Sequence, residues 1–131
     1  MGAWAEGSFG NDDALDWVNE LSAAGVSAIT GAFDTAGARY LQAPDGSMII
    51  AAAEVVAAAH GSPSPDLPED VRERVMSLRT EIINVPGPRK RAVQAVDRVM
   101  GDGSELKKLW EEGDSEPWLI LVRDLRARLA K

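Results

Sequence analysis

The sequence predicts an all-α fold, with six to seven short helices around one core and mixed orthogonal packing. Glycine and proline interrupt the chain near positions 25, 44–46, 61–68, 86–88, 101–103 and 113, and the apolar residues between them recur at helical spacing. No segment alternates like a strand. The helices are unequal and their connections vary, which favours mixed packing over an up-down bundle. A chain of 131 residues suits one domain, with a glycine- and aromatic-containing arm at 1–10 and an internal loop at 61–68.

The first predicted helix begins at Asn11 or Asp12, because these side chains can accept the free amide hydrogens of a first turn. Its inward face is formed by Ala14, Trp17, Val18 and Leu21. Gly25 can adopt the left-handed conformation that ends such a helix. Ser27 is then predicted to cap a second helix, whose inward residues are Ile29, Ala32, Phe33, Ala36 and Tyr40.

Gly31 and Gly37 weaken this second helix, and we interpret them as positions that permit a close helix crossing. The third helix is predicted from about Gly46 to His60, with Asp45 as its cap. It is apolar nearly all round, which is typical of a central element. Its only polar stripe is thin and consists of Ser47, Ala51, Glu54 and Ala58.

Four helices are predicted after the internal loop. Pro68 occupies a first helical position, and Pro86 to Pro88 separate the next two helices. Ser104 opens a short helix, and Ser115 caps the last one. The expected inward residues are Val71, Val75, Leu78, Ile82, Ala92, Val93, Val96, Val99, Met100, Leu106, Leu109, Trp110, Trp118, Val122, Leu125 and Leu129. Arg126, Arg128 and Lys131 suit the negative end of the last helix dipole.

Composition excludes several classes of function. The absence of cysteine removes disulfides, thiolate metal ligands and cysteine nucleophiles. The net charge of −7 lies entirely in residues 1–60, which hold eight acidic residues and one basic residue, so a nucleic acid is not an expected partner. The amino terminus has no secretory pattern, and no apolar run is long enough for a bilayer. We therefore expect a cytoplasmic protein without membrane association.

The acidic residues Asp12, Asp13, Asp16 and Glu20 follow one another at helical spacing in the first helix. Such a stripe can bind a cation or a basic partner surface, but it lacks the glycine-centred loop of calcium sites. We expect a solvated face that also caps the helix, and no metal.

Glu54 and His60 are the other candidates for chemistry. Glu54 is alone on an apolar helix, and a surface position is expected because no partner is evident in the sequence. His60 is expected to be a helix-terminal residue, since no carboxylate precedes it by three or four positions. Together with Arg89 they form a candidate pocket.

Arg89, Lys90 and Arg91 lie in the first turn of a helix, where positive charge is unfavourable. We expect an intramolecular contact with the acidic half, and an anionic ligand or partner is the alternative. No phosphate-binding or nucleophile motif is present, so no cofactor is expected. Trp4 and Phe9 either tuck under the domain or offer aromatic anchors to a partner.

The opening GAWAEGSFGNDDALDWVNEL resembles that of bacterial domain-of-unknown-function family 4259, in which a Trp-Gly-x-Gly-x-Phe-x-Asn-Asp run leads into a helix. The stretches AAAEVVAAAHGSPSPDLPEDV and SELKKLWEEGDSEPWLILVRDLRARL are similar to that family as well. The pattern falls on Trp4, Gly7, Phe9, Asn11, Asp12, Ala14, Asp16 and Trp17, and Ala5 departs from it where the family has glycine. The resemblance implies no activity, cofactor or catalytic residue.

Three functional hypotheses follow. The first is a non-enzymatic interaction or regulatory module, in one form an immunity-like protein that neutralises a basic partner, using Trp4, Phe9, Asn11, Asp12, Asp13 and Asp16. The second is a small-ligand binder or enzyme with a pocket near Glu54, His60 and Arg89. The third is a homodimer, formed through the small-residue faces of the second and third helices.

Overall fold

The computed structural model describes residues 12–65, 67–85, 87–113 and 115–130. Within those ranges the chain forms seven α-helices and one short 3₁₀ helix (Thr35–Gly37), and no β-strand. The α-helices are α1 (Asp12–Ala24), α2 (Val26–Asp34), α3 (Ala43–Ala59), α4 (Glu69–Ile83), α5 (Pro88–Met100), α6 (Glu105–Glu111) and α7 (Glu116–Leu129). The predicted all-α fold is therefore confirmed.

Helix α3 is the centre of the fold, as its sequence predicts. It contacts all six other α-helices. Twelve of its seventeen residues are buried, so it is covered on every side. The thin polar stripe is part of this buried surface, because Ser47, Ala51 and Glu54 are all inside. The alanines of α3 keep its neighbours close while adding little side-chain volume.

Most of the remaining core side chains come from the predicted inward faces, but Leu41 is buried without belonging to one, and the predicted inward residue Leu109 is only partly buried. Trp17 and Trp118 are buried, and the indole Nε1–H of Trp17 donates a hydrogen bond of 3.1 Å to the carbonyl of Ala28. Trp118 also stacks on Trp110, with ring centroids 6.1 Å apart. The other large, fully buried aliphatic side chains include Leu21, Leu41, Ile49, Val55, Val56, Val71, Ile82, Val96, Val99, Leu125 and Leu129.

Two connecting segments are joined by backbone hydrogen bonds. The amide of Leu41 donates to the carbonyl of Gly103 at 2.8 Å, and the amide of Glu105 donates to the carbonyl of Leu41 at 2.9 Å. The carboxylate of Glu105 accepts from the amide of Ala43 at 2.8 Å. This last contact satisfies a free amide in the first turn of α3, which is the role of a capping side chain.

Several predicted helix starts are wrong. Helix α2 begins after Gly25, whose φ is 63°, so the residue before Val26 replaces Ser27 as the cap. Helix α3 begins three residues before Gly46, with Gln42 as its cap and Asp45 in its first turn. Pro68 precedes α4 with an extended backbone instead of occupying its first helical position. Ser104 does cap α6, and its hydroxyl accepts a hydrogen bond from the amide of Lys107 at 3.4 Å.

The interpretation of α2 needs a further correction. A Cβ added at Gly31 or Gly37 would meet no atom within 4 Å, so neither glycine permits a close crossing. Tyr40 lies beyond the helix and is 43% exposed, with the ammonium of Lys108 5.2 Å from its ring centre. The close approach occurs instead at Gly46, where an added Cβ would lie 3.2 Å from the Cβ of Leu106.

Candidate functional site

An acidic face lies on the outer side of α1. We define it as Asp13, Asp16 and Glu20, of which Asp16 and Glu20 are exposed and Asp13 is half-buried. These residues are spaced by three and four positions, so they share one side of the helix. The opposite side carries the buried residues Ala14, Trp17, Val18 and Leu21.

The predicted interaction set has four further residues. Asp12 is the first residue of α1. Trp4, Phe9 and Asn11 lie outside the residues that the structure describes.

The acidic face has no counter-charge on its own helix, because α1 contains no lysine or arginine. Among the described residues, Asp13, Asp16 and Glu20 form no ion pair. Some carboxylates elsewhere do: Asp34 pairs with Arg91, Asp97 with Arg126, and both Glu54 and Asp124 with Arg128. The negative potential of the acidic face is therefore not cancelled by contacts with described residues.

A recess of about 210 Å³ adjoins this face. Glu20 and Ser27 supply its polar groups, and Trp17, Gly31 and Met48 contribute to the rest of its lining. An apolar recess with a carboxylate beside it complements a lysine or arginine side chain, which has a hydrocarbon stem and a charged head.

Glu54 is buried, which contradicts its predicted surface position. Its side chain is 4% exposed, and its Oε1 lies 2.8 Å from Nη1 of Arg128, a residue 74 positions later. The same nitrogen donates to the carbonyl of Ser62 at 3.1 Å, and Nε donates to Asp124 at 2.8 Å. The arginine therefore joins α3, α7 and the segment after α3.

The charge state of Arg128 follows from these contacts. Burial lowers the pKa of its guanidinium, but the hydrogen bonds and charges of Glu54 and Asp124 outweigh that effect and hold the pKa above its ordinary value. Arg128 is thus a permanent cation that compensates a buried carboxylate. This arrangement is structural, since removing either partner would leave a buried charge unpaired.

His60 ends α3, as predicted, and its ring faces the helix. Its Nδ1 lies 2.9 Å from the carbonyl oxygen of Val56. No polar contact joins His60 to Glu54. Arg89 is on α5 and lines a shallow recess that includes neither of them; Lys90, Val93 and Leu129 are among the other lining residues. The three residues of the predicted pocket are therefore not brought together.

Arg91, in the basic turn of α5, contacts the acidic half, as expected. Nη2 of Arg91 lies 2.7 Å from Oδ1 of Asp34, with side chains 38% and 71% exposed. A pair this exposed contributes about 0–1 kcal/mol to stability.

The described residues contain no group of three or more histidine, cysteine, aspartate or glutamate side chains arranged for a metal ion. None of the described helices has the length and apolar character needed to cross a bilayer.

Sequence reasoning missed two features of the molecule. The sequence predicts for Arg128 only a favourable position in the helix dipole, and its ion pair with Glu54 is not evident from local spacing. The one signal is that a carboxylate on an apolar helix requires a cation if it is buried. The second feature is a recess between the 3₁₀ helix and α5 that contains Arg91 and Arg98. Helical spacing places both arginines on one side of α5, but it gives no information about the facing element.

Comparison with known proteins supports the resemblance seen in the sequence. The family model described as "Domain of unknown function (DUF4259)" matches residues 2–119. The comparisons with curated proteins and with solved structures gave no match. Because the family match covers most of the 131 residues, the chain belongs to the DUF4259 family.

Proposed function

We propose that the protein is a cytoplasmic, non-enzymatic interaction module that binds a basic protein partner through α1. The observation that supports this most directly is the acidic face of Asp13, Asp16 and Glu20, which forms no ion pair with any described residue. Carboxylates arranged in this way raise the association rate with a positively charged surface and select against acidic partners.

The recess beside the acidic face adds complementarity of shape to complementarity of charge. Its lining by Trp17, Met48 and Glu20 suits one basic side chain from the partner, with the stem against the apolar surface and the head beside the carboxylate. Interfaces owe much of their affinity to a few such anchored side chains. A regulatory or immunity-like role, in which the module blocks a basic partner, is consistent with this chemistry.

The experiment is a quantitative affinity purification of the tagged protein from its own host, at low and at high salt, followed by mass spectrometry. It compares the natural chain with a variant carrying Asp13→Asn, Asp16→Asn and Glu20→Gln. We expect a stoichiometric protein partner that is retained at low salt, released at high salt, and lost from the variant.

A matched control removes the same charge from another surface. Asp70, Glu73 and Glu81 are exposed on α4 and form no ion pair with described residues, so their replacement by Asn, Gln and Gln gives the same net charge. The control should keep the partner. If both variants lost it equally, net charge would account for the binding, and the specific role of α1 would be wrong.

A further inference from the structure

A second recess, of about 310 Å³, lies between the end of α2 with the following 3₁₀ helix and one side of α5. Its size is at the lower end for small-molecule sites, which are concave and combine an apolar lining with a few polar groups. The residues that matter for its chemistry are Phe33, Ala36, Gly37, Arg91, Gln94 and Arg98.

The polar groups of this recess come from one helix. Arg91, Gln94 and Arg98 are spaced by three and four positions, so they lie on the same side of α5 over about 10 Å of its axis. Phe33 and Ala36 supply apolar surface from the facing segment. The recess therefore has two cations along one wall and an aromatic ring in its lining.

The charge of Arg98 is not neutralised by a described carboxylate. Its guanidinium donates to four backbone carbonyls: Nη1 to Asp102 at 2.9 Å, and Nη2 to Ala38, Arg39 and Gly103 at 3.2, 3.3 and 3.4 Å. Carbonyls are neutral acceptors, so they fix the guanidinium in place and leave its full positive charge. No hydrogen bond among the described residues uses its Nε.

The charge of Arg91 is only weakly engaged. Its partner Asp34 is 71% exposed, and the ion pair between them is open to water. Exposed pairs of this kind contribute little and exchange readily with other ions. Arg91 can therefore turn from Asp34 to an anion in the recess without breaking a buried contact.

We propose that this recess binds a small organic phosphate monoester. A phosphoryl group presents three acceptor oxygens and carries up to two negative charges, which matches the charge of two guanidiniums. Arg91 can bind such oxygens with a planar fork of donors, whereas Arg98, whose Nη2 already donates to backbone carbonyls, contributes its charge. The organic part of the ester would contact Phe33 and Ala36, and Gln94 can donate or accept a further hydrogen bond. This site is on α5 and is separate from the acidic face used in the proposed protein interaction.

The test uses phenyl phosphate as the probe, titrated into the isotope-labelled full-length protein and followed by backbone amide chemical shifts. We expect saturable shifts that cluster at Phe33, Gly37, Gln94 and Arg98. Inorganic phosphate should bind at least about tenfold more weakly, because it lacks the apolar part. Equal affinity for the two probes would overturn the assignment of an organic ester, and an absence of saturable shifts would overturn the site.

A charge variant and its matched control test whether the phosphate binds at Arg91. Arg91→Gln should weaken phenyl phosphate about tenfold or more, through loss of a charge-assisted contact. Arg123→Gln, on the exposed side of α7, removes the same charge elsewhere and should leave the affinity within about twofold, since distant exposed charges are screened. If both variants weakened the binding of phenyl phosphate equally, the binding would reflect general attraction to a positive surface, and the proposal would be overturned.

Gly37→Leu tests the recess without changing charge. Gly37 lines it, and an added Cβ would meet no atom within 4 Å, so a side chain can start at this position without a clash. We expect binding of phenyl phosphate to be lost while the helical circular dichroism spectrum is unchanged. Undiminished binding by a folded Gly37→Leu variant would place the phosphate outside this recess.

Discussion

Nη1 of Arg128 lies 2.8 Å from Oε1 of Glu54, with side chains 11% and 4% exposed, and this contact joins the last helix to the central one. It is the most buried of the ion pairs between described residues. A buried ion pair need not make the protein more stable than apolar residues in the same place would. Removing only one partner is destabilising, because it leaves the other charge buried and unpaired. Its consequences can be measured directly.

Replacing Glu54 by Gln should destabilise the protein by about 3 kcal/mol, because the Arg128 guanidinium would then be buried without its main counter-charge. The control Asp34→Asn breaks the exposed pair with Arg91 and should cost at most about 1 kcal/mol. Urea denaturation followed by circular dichroism measures both free energies of unfolding. Equal effects of the two variants would mean that Glu54 is solvated in the native state.

The double variant Glu54→Leu with Arg128→Met separates pairing from packing. We expect it to be more stable than either single variant, since no buried charge remains. A double variant less stable than both single variants would contradict the cost assigned here to an unpaired buried charge.

The contribution of the Arg128 charge to the free energy of unfolding should not depend on pH between 7 and 10. Its pKa is raised in the folded state, so the stability gained from its charge is fully present below the pKa of the unfolded arginine and is lost only as the pH rises through the still higher folded value. The difference in unfolding free energy between the natural chain and Arg128→Met, measured by urea denaturation at several pH values, should therefore be constant. A difference that shrank toward pH 10 would contradict a raised pKa.

Two glycine-to-alanine substitutions in helices should act in opposite directions. Gly31→Ala, on the exposed side of α2, should stabilise by about 0.5–1 kcal/mol, because alanine loses less backbone entropy in a helix and its Cβ has free space. Gly46→Ala gains the same propensity but places a Cβ 3.2 Å from the Cβ of Leu106, so α3 and α6 must separate. We expect a net loss of stability for Gly46→Ala in thermal and urea denaturation. An equal gain of stability for both substitutions would show that α6 moves away from α3 without a loss of free energy.

Local patterns predicted the helices well where capping and periodicity agreed. Ser104 caps α6, His60 ends α3, and Trp17 and Trp118 are buried, all as expected from neighbouring residues. The predicted starts of α2 and α3 were wrong because several adjacent residues can serve as caps. The choice between Asp45 and Gln42 depends on the carboxylate of Glu105, which reaches the first turn of α3 from 62 positions away.

The candidate sites also differ in how far the sequence predicts them. The acidic face could be predicted, because Asp13, Asp16 and Glu20 belong to one helix and their spacing alone places them on one side. The recess with Arg91 and Arg98 could not, since it requires the facing segment at Phe33 to Gly37. The expected surface position of Glu54 failed for a similar reason, as its counter-charge is on another helix.

The sequence by itself determined the all-α class, the central place of α3, the family and the acidic character of α1, because each depends on composition or on contacts within a few residues. Only the tertiary structure decided that Glu54 is buried, that Arg128 neutralises it, and that Arg91 and Arg98 share a recess with Phe33. These features depend on which helix faces which across the core. The free energy of a buried charge is set by the group that meets it in space, and local spacing carries no information about that group.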